Sequence, residues 1–133
     1  MDETGKDDAA WLTRPALEFA VHNISQSFTL ARRVTVAGAV LPRSKALLKG
    51  NRLRRGSGVW IGPCEAIHTF GMKTPVDVLF LDRRFIVCRL LPHLQAERVF
   101  VCLAAASVLK LEAGVISRTG TRIGDHLLFE SLS

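Results

Sequence analysis

From residue 59 onward the chain is a succession of short apolar runs, roughly five residues long and about ten apart, with Gly, Pro and Asp between them. The runs are 59–61, 67–72, 76–81, 86–91, 100–103, 108–111 and 127–129. Segments this short do not make substantial helices, and their spacing leaves no room for βαβ crossovers. The pattern therefore confines the fold to an all-β sandwich or a small barrel. Run 76–81 is apolar on both faces except at Asp77, which predicts a strand interior to a sheet and covered on each side. Asp82, Arg83 and Arg84 form the turn into the next strand. Upstream, residues 28–36 alternate, with Leu30, Val34 and Val36 on one face and Thr29, Arg33 and Thr35 on the other, as in a half-exposed strand that Gly38 ends. One short helix is expected near 42–49, where Pro42 suits a first turn, Leu41, Lys45 and Leu48 have helical spacing, and Gly50 can close the C-terminus. The expected architecture is mainly β: a compact β-sandwich or distorted small barrel of about seven or eight strands.

A length of 133 residues, 48% apolar and 23% charged, suits one domain with a core and excludes a disordered, collagen-like or disulfide-scaffold chain. Residues 1–26 lack a sustained period and begin acidic, so they are read as a mobile leader with at most one helical turn near 16–21, ahead of a single β domain at 27–133. The net charge of +6 is unevenly placed. Residues 1–18 carry −3 and residues 65–133 carry +1, which leaves +8 between Phe19 and Cys64. That stretch holds Arg32, Arg33, Arg43, Lys45, Lys49, Arg52, Arg54 and Arg55 without one Asp or Glu, so the basic character belongs to a segment.

The opening Met-Asp-Glu-Thr has the wrong charge for a secretory signal, and no apolar stretch follows it. The longest uncharged apolar run, 99–109, falls well short of the roughly 18 residues that a spanning helix needs. Cys64, Cys88 and Cys102 are an odd number without Cys-x-x-Cys spacing, which fits a reducing compartment. A cytoplasmic protein with no membrane association is the expectation, and no cofactor motif is present.

The stretch Gly58-Val59-Trp60-Ile61-Gly62-Pro63-Cys64-Glu65-Ala66-Ile67-His68-Thr69-Phe70-Gly71-Met72-Lys73-Thr74-Pro75-Val76-Asp77-Val78-Leu79-Phe80-Leu81-Asp82 resembles the signature of domain of unknown function family 192. The resemblance continues through Arg43-Ser44-Lys45-Ala46-Leu47-Leu48 upstream, and through Val108-Leu109-Lys110-Leu111-Glu112-Ala113-Gly114 and the turn at 120–125 downstream. It implies a compact, mainly β protein and no particular activity, because a fold does not supply a function. Ala46 and Lys49 stand where that family usually has glycines. Arg84 and Phe85 occupy a hairpin that usually offers one, and Lys110 replaces a common glutamate.

The candidate site is the surface carrying His68, Thr69, Met72, Lys73 and Asp77, bordered by the loop of Arg52, Arg54 and Arg55. Dense motif residues without a complete catalytic set, beside concentrated positive charge, point to a non-catalytic binding or accessory module for an anionic small molecule or a protein segment. The rival is an enzyme in which His68 acts as acid or base and Asp77 orients it, on a carbohydrate or anionic metabolite. A lone His is more often structural, and a carboxylate in an apolar strand must be hydrogen-bonded. Cys64, His68, Asp77 and His93 carry ligand atoms, but a single Cys-x-x-x-His pair is a weak zinc signal and no metal is expected. Nonspecific nucleic-acid binding through the arginines, with Trp60 and Phe70 for stacking, is a third reading. It lacks a recognition helix or an RNP-like aromatic pair, and a solvated basic face explains the charge as well. Trp60 and Met72 read first as core residues. The turn at 120–125 has too few glycines for a phosphate loop and reads as structural.

Overall fold

Alternation along Val76–Leu81 organises the molecule, because Val76, Val78 and Phe80 enter one apolar cluster while Leu79 and Leu81 enter another. In the computed structural model, residues 17–37, 53–63, 66–68, 74–95 and 99–132 are described. Nine strands lie among them: β1 Glu18–Asn23, β2 Phe28–Ala37, β3 Ser57–Ile61, β4 Ala66–His68, β5 Val76–Leu81, β6 Val87–Leu94, β7 Val99–Val101, β8 Ser107–Glu112 and β9 Leu127–Ser131. The single helix among the described residues, α1, is Val115–Thr119.

Seven strands form one sheet in the order β6-β5-β8-β3-β2-β1-β9, and β4 pairs with β7 in a separate ribbon. Among the described residues only the β2–β3 pairing is parallel. Register shifts between β1 and β2 and between β5 and β6 mark irregularities of the kind that increase local bend and twist. The sheet curls until its outer strands meet at one end. The Ile86–His126 bridge, together with the bonds from Val87 N to Asp125 O (2.9 Å) and Leu127 N to Phe85 O (2.9 Å), joins the start of β6 to the start of β9. The result is a curled half-barrel, and the expectation of a mainly β fold holds.

Inside the curl, Val21, Val34, Leu79, Leu109, Leu111 and Leu127 pack with α1. On the other face of the sheet, Val78, Phe80 and Val108 are covered by Ile67 of β4 and Phe100 of β7. This second cluster explains why β5 is buried at every position. Gly58 of β3 sits against β8, where an added Cβ would lie 2.8 Å from Leu111 Cδ2 and 2.9 Å from the Lys110 carbonyl oxygen. Because the oxygen belongs to a paired strand and cannot yield freely, Gly58→Ala is expected to cost about 1–3 kcal/mol. Urea unfolding would show this as a lower midpoint with an unchanged slope.

One expectation needs correction. Residues 18–23, read as part of a mobile leader, form β1 between β2 and β9, and Val21 is fully buried. Their pattern is too short and irregular to announce a strand, and pairing on both sides supplies what periodicity does not. The helix at 115–119 was not anticipated, while the one expected near 42–49 falls outside the described residues. The hairpin departure is real but conservative: Phe85 takes the left-handed conformation (φ 62°) that a glycine would favour. Its ring lies 5.7 Å from Trp60 and 5.1 Å from Phe129, contacts that offset a backbone cost of about 1–2 kcal/mol. Asp82 Oδ1 supports the turn by accepting the amides of Arg84 (2.8 Å) and Ile86 (3.0 Å).

Candidate functional site

Asp77 does not face a ligand surface. Its side chain is 0% exposed, Oδ1 accepts the backbone amide of His93 (2.9 Å), and Oδ2 accepts that of Ile116 (2.7 Å). The first bond braces the β6 irregularity, where His93 adopts φ 52°. The second does the work of a helix cap. Gly114 occupies the N-cap position of α1 and has no side chain to offer, so a carboxylate from β5 satisfies an amide of the first turn from outside. As a ligand contact or a partner for His68, Asp77 is therefore corrected to a structural anchor: leaving those amides unpaired in an apolar interior would be costly.

His68 takes its place in β4 opposite Val99, and the neighbouring Ile67 packs on the face of the sheet that carries Val78 and Phe80. Asp77 has the strand parity of Leu79 and Leu81 and bonds toward α1 on the opposite face. Arg52, Thr69, Met72 and Lys73 fall outside the described residues, as does Cys64. Among the described residues, no group of three His, Cys, Asp or Glu side chains is arranged to hold a metal ion.

The arginine loop has a definite setting. Gly56 adopts φ 81°, and its carbonyl accepts the amides of both Arg32 (2.8 Å) and Arg33 (3.0 Å) of β2. A tight turn, closed by Ser57 N on Arg54 O at 2.9 Å, leads directly into β3. Arg55 is thereby brought beside the two β2 arginines, and α1 contributes Arg118 to the same place. These four, with Thr29 and Ser57, line an open groove of about 610 Å³. Arg33 is 3.7 Å from Glu18, and Arg118 donates to Glu112 at 3.2 Å. Arg32 and Arg55 have no acidic partner among the described residues.

Arginine forks of this kind suit carboxylate or phosphate oxygens, and four cations around a partly enclosed space reinforce one another. Asp77 belongs to this site indirectly, because it holds the helix that presents Arg118. Sequence reasoning found Arg55 and counted Arg32 and Arg33 within the basic segment, but it did not select Arg118, which is more than sixty residues away along the chain. Arg118 follows a glycine in a short apolar stretch, a pattern too brief to mark a helix by periodicity.

A second, smaller cavity of about 400 Å³ is lined by Val36, Trp60, Pro63, Asp82, Arg83 and Phe85. Trp60 is half-buried against the inner core, and its ring lies 4.5 Å from Phe129 and 5.8 Å from Phe19. Its indole N–H is buried without a hydrogen-bond partner among the described residues.

The turn at 120–125 carries a polar network. Asn23 donates to Thr121 Oγ1 (3.1 Å) and Asp125 Oδ2 (2.9 Å), and its own oxygen accepts the amides of Ser25 and Gln26, each at 3.0 Å. Asp125 also accepts from the Arg122 amide (2.9 Å) and Gln26 Nε2 (3.3 Å). Burial pushes the Asp125 carboxyl upward, but the bonds from Asn23, Arg122 and Gln26, together with the charge of Arg122, outweigh it and hold the group below the usual carboxylate range. The structural reading of this turn agrees with its geometry.

The architecture defines a class: a curled β half-barrel carrying a single short helix among its described residues, with an arginine-lined groove where helix, loop and strand meet. The chain belongs to domain of unknown function family 192 (DUF192), described as "Uncharacterized ACR", whose profile matches residues 21–129. No curated protein matches the chain. Among solved structures, it is similar to a "putative transcription regulator" from Sinorhizobium meliloti 1021, with 21% identity, a TM-score of 0.67, and coverage of 86% of this chain and 94% of that one. It is also similar to a protein of unknown function from Novosphingobium aromaticivorans DSM 12444, with 17% identity, a TM-score of 0.68, and coverage of 84% and 83%. At these identities the likeness concerns the fold. No helix among the described residues is long and apolar enough to cross a membrane.

Proposed function

We propose that the domain is a non-catalytic binding module that receives a small molecule or protein segment through its carboxylate or phosphate groups, in the groove of Arg32, Arg33, Arg55 and Arg118. The observation that carries this reading is the convergence of four guanidinium side chains from β2, the 53–56 turn and α1, two of them without acidic partners among the described residues. The site differs from the surface of His68 and Asp77, since Asp77 is committed to backbone amides. Arg52, two residues before Arg54, extends the same basic loop in sequence.

Inorganic tripolyphosphate and a short polyglutamate peptide are suitable calorimetric probes. Charge reversal at the two unpaired positions, Arg32→Glu with Arg55→Glu, is expected to weaken binding of both by about 10-fold or more at low salt, a loss that 1 M salt would largely mask. Unaltered affinity in a folded double variant would sink the proposal.

Nucleic-acid binding is a second reading, favoured by the basic groove and by the description of the Sinorhizobium neighbour as a transcription regulator. Against it, α1 has only five residues, too few to lie along a major groove. It requires the logarithm of duplex-DNA affinity to fall steeply with the logarithm of salt concentration, with a slope of about −0.9 per phosphate contacted. A flat salt dependence would dismiss it.

A further inference from the structure

Among the described residues the β4–β7 ribbon makes strand pairs only with itself, and two strands alone are marginal in water. Beyond the packing of Ile67 and Phe100 on β5 and β8, its polar attachment to the main sheet runs through β6. Arg89 Nη1 donates to the Val101 carbonyl at 3.1 Å, and its guanidinium lies over the Phe100 ring at 5.5 Å. Next to Arg89 in sequence, Cys88 places its Sγ 3.8 Å from Sγ of Cys102, the residue that follows β7. Both cysteines are free and only partly buried, so a small oxidant can reach them. Cys88 also contacts the Phe80 carbonyl at 3.3 Å, which holds its thiol toward the cluster that the ribbon covers.

We propose that Cys88 and Cys102 are a reversible redox pair that a hydroperoxide closes to a disulfide, tying the β4–β7 ribbon to β6. In the first step a thiolate attacks the hydroperoxide; the O–O bond breaks, a sulfenic acid forms, and the departing oxygen leaves as water or alcohol with the thiol's proton. In the second step the other thiol attacks the sulfenic sulfur; the S–S bond forms, the S–O bond breaks, and a water leaves with the second proton. Two thiols are oxidised by two electrons, and the hydroperoxide is reduced. Cys88 directs its S–H at the Phe80 carbonyl, and burial, reinforced by the contact with Cys102, pushes its thiol up, so Cys88 is the less ready nucleophile. The first attack therefore falls to Cys102, and Cys88 resolves the sulfenic acid.

The test treats the reduced full chain with a small excess of hydrogen peroxide at neutral pH. Expected are a mass loss of two hydrogens, a Cys88–Cys102 crosslinked peptide on digestion without reductant, and recovery of both thiols with dithiothreitol. Cys88→Ser is expected to accumulate a dimedone-reactive sulfenic acid at Cys102, and Cys102→Ser to react about 10-fold more slowly than the parent. Amide exchange at Val99–Val101 should slow by about 10-fold in the oxidised protein. The proposal is overturned if the two thiols stay free, if they pass to sulfinic or sulfonic acids without a crosslink, if either joins Cys64 instead, or if exchange in β7 is unchanged by the bond.

Discussion

Replacing Asp77 with alanine is expected to lower the unfolding free energy by about 3–5 kcal/mol, since a hydrogen bond to a charged acceptor is worth about 1.5–3 kcal/mol and Asp77 accepts two, one buried and one part-buried. The side chain is wholly enclosed and accepts one amide from β6 and one from α1, at 2.9 and 2.7 Å. Alanine leaves both N–H groups without this acceptor, and the Ile116 amide, unlike that of the exposed His93, is buried away from solvent. Asparagine is a sharper probe. Its carbonyl can serve one amide, but its NH2 group then meets the other, so Asp77→Asn is expected to recover no more than about half of the loss. Chemical denaturation measures both. The second consequence is functional: α1 loses the side-chain acceptor at its first turn and Arg118 loses its fixed position, so anion binding in the groove should weaken although Asp77 does not line it. A change of under about 1 kcal/mol for Asp77→Ala would show that these amides have other acceptors.

Asn23→Ala is expected to cost about 3 kcal/mol and to move acid unfolding to higher pH. Asn23 is 0% exposed and makes four hydrogen bonds, linking the β1–β2 turn to Thr121 and Asp125 about one hundred residues later. The sign of the pH effect follows from Asp125, whose folded carboxyl is held below its unfolded value of about 3.9. A depressed carboxyl stabilises the fold above that unfolded value, and the stabilisation is lost as pH falls through the lower folded value. Without Asn23, burial is opposed only by the bonds from Arg122 and Gln26 and by the Arg122 charge, so the folded value rises. The variant should therefore lose less stability than the parent between pH 5 and 2 while starting from a lower plateau, and so unfold at a higher pH. Urea midpoints across that range would decide it, with parallel curves for the two proteins as the contrary result.

The legible parts of the fold are those in which local pattern and tertiary environment agree. Residues 76–81 announce a doubly covered strand because the run is apolar on both faces except at Asp77, and each face indeed meets its own cluster. Residues 28–36 announce a half-exposed strand because apolar and polar side chains alternate, and β2 extends it by one residue. β1 was not legible: Phe19, Ala20 and Val21 are short of a period, and their strand character comes from pairing with residues 28–35 and 127–131. The helix at 115–119 escaped notice because five residues cannot express a 3.6-residue period, and its cap arrives from another strand.

For the candidate site, the chain order displayed the chemistry without the geometry. The amino-acid sequence by itself determined the all-β class, the concentration of arginine in one acid-free segment, and the requirement that an Asp inside an apolar strand find partners, since these depend on composition, alternation and the cost of burying charge. Which partners it finds was decided by the tertiary structure alone. Curling of the sheet sets α1 and the β6 irregularity against Asp77, and the Gly56 carbonyl draws Arg55 to β2 while α1 brings Arg118 to the same groove. Those meetings depend on strand order and handed curvature, which act between residues distant along the chain and therefore leave no local period to read.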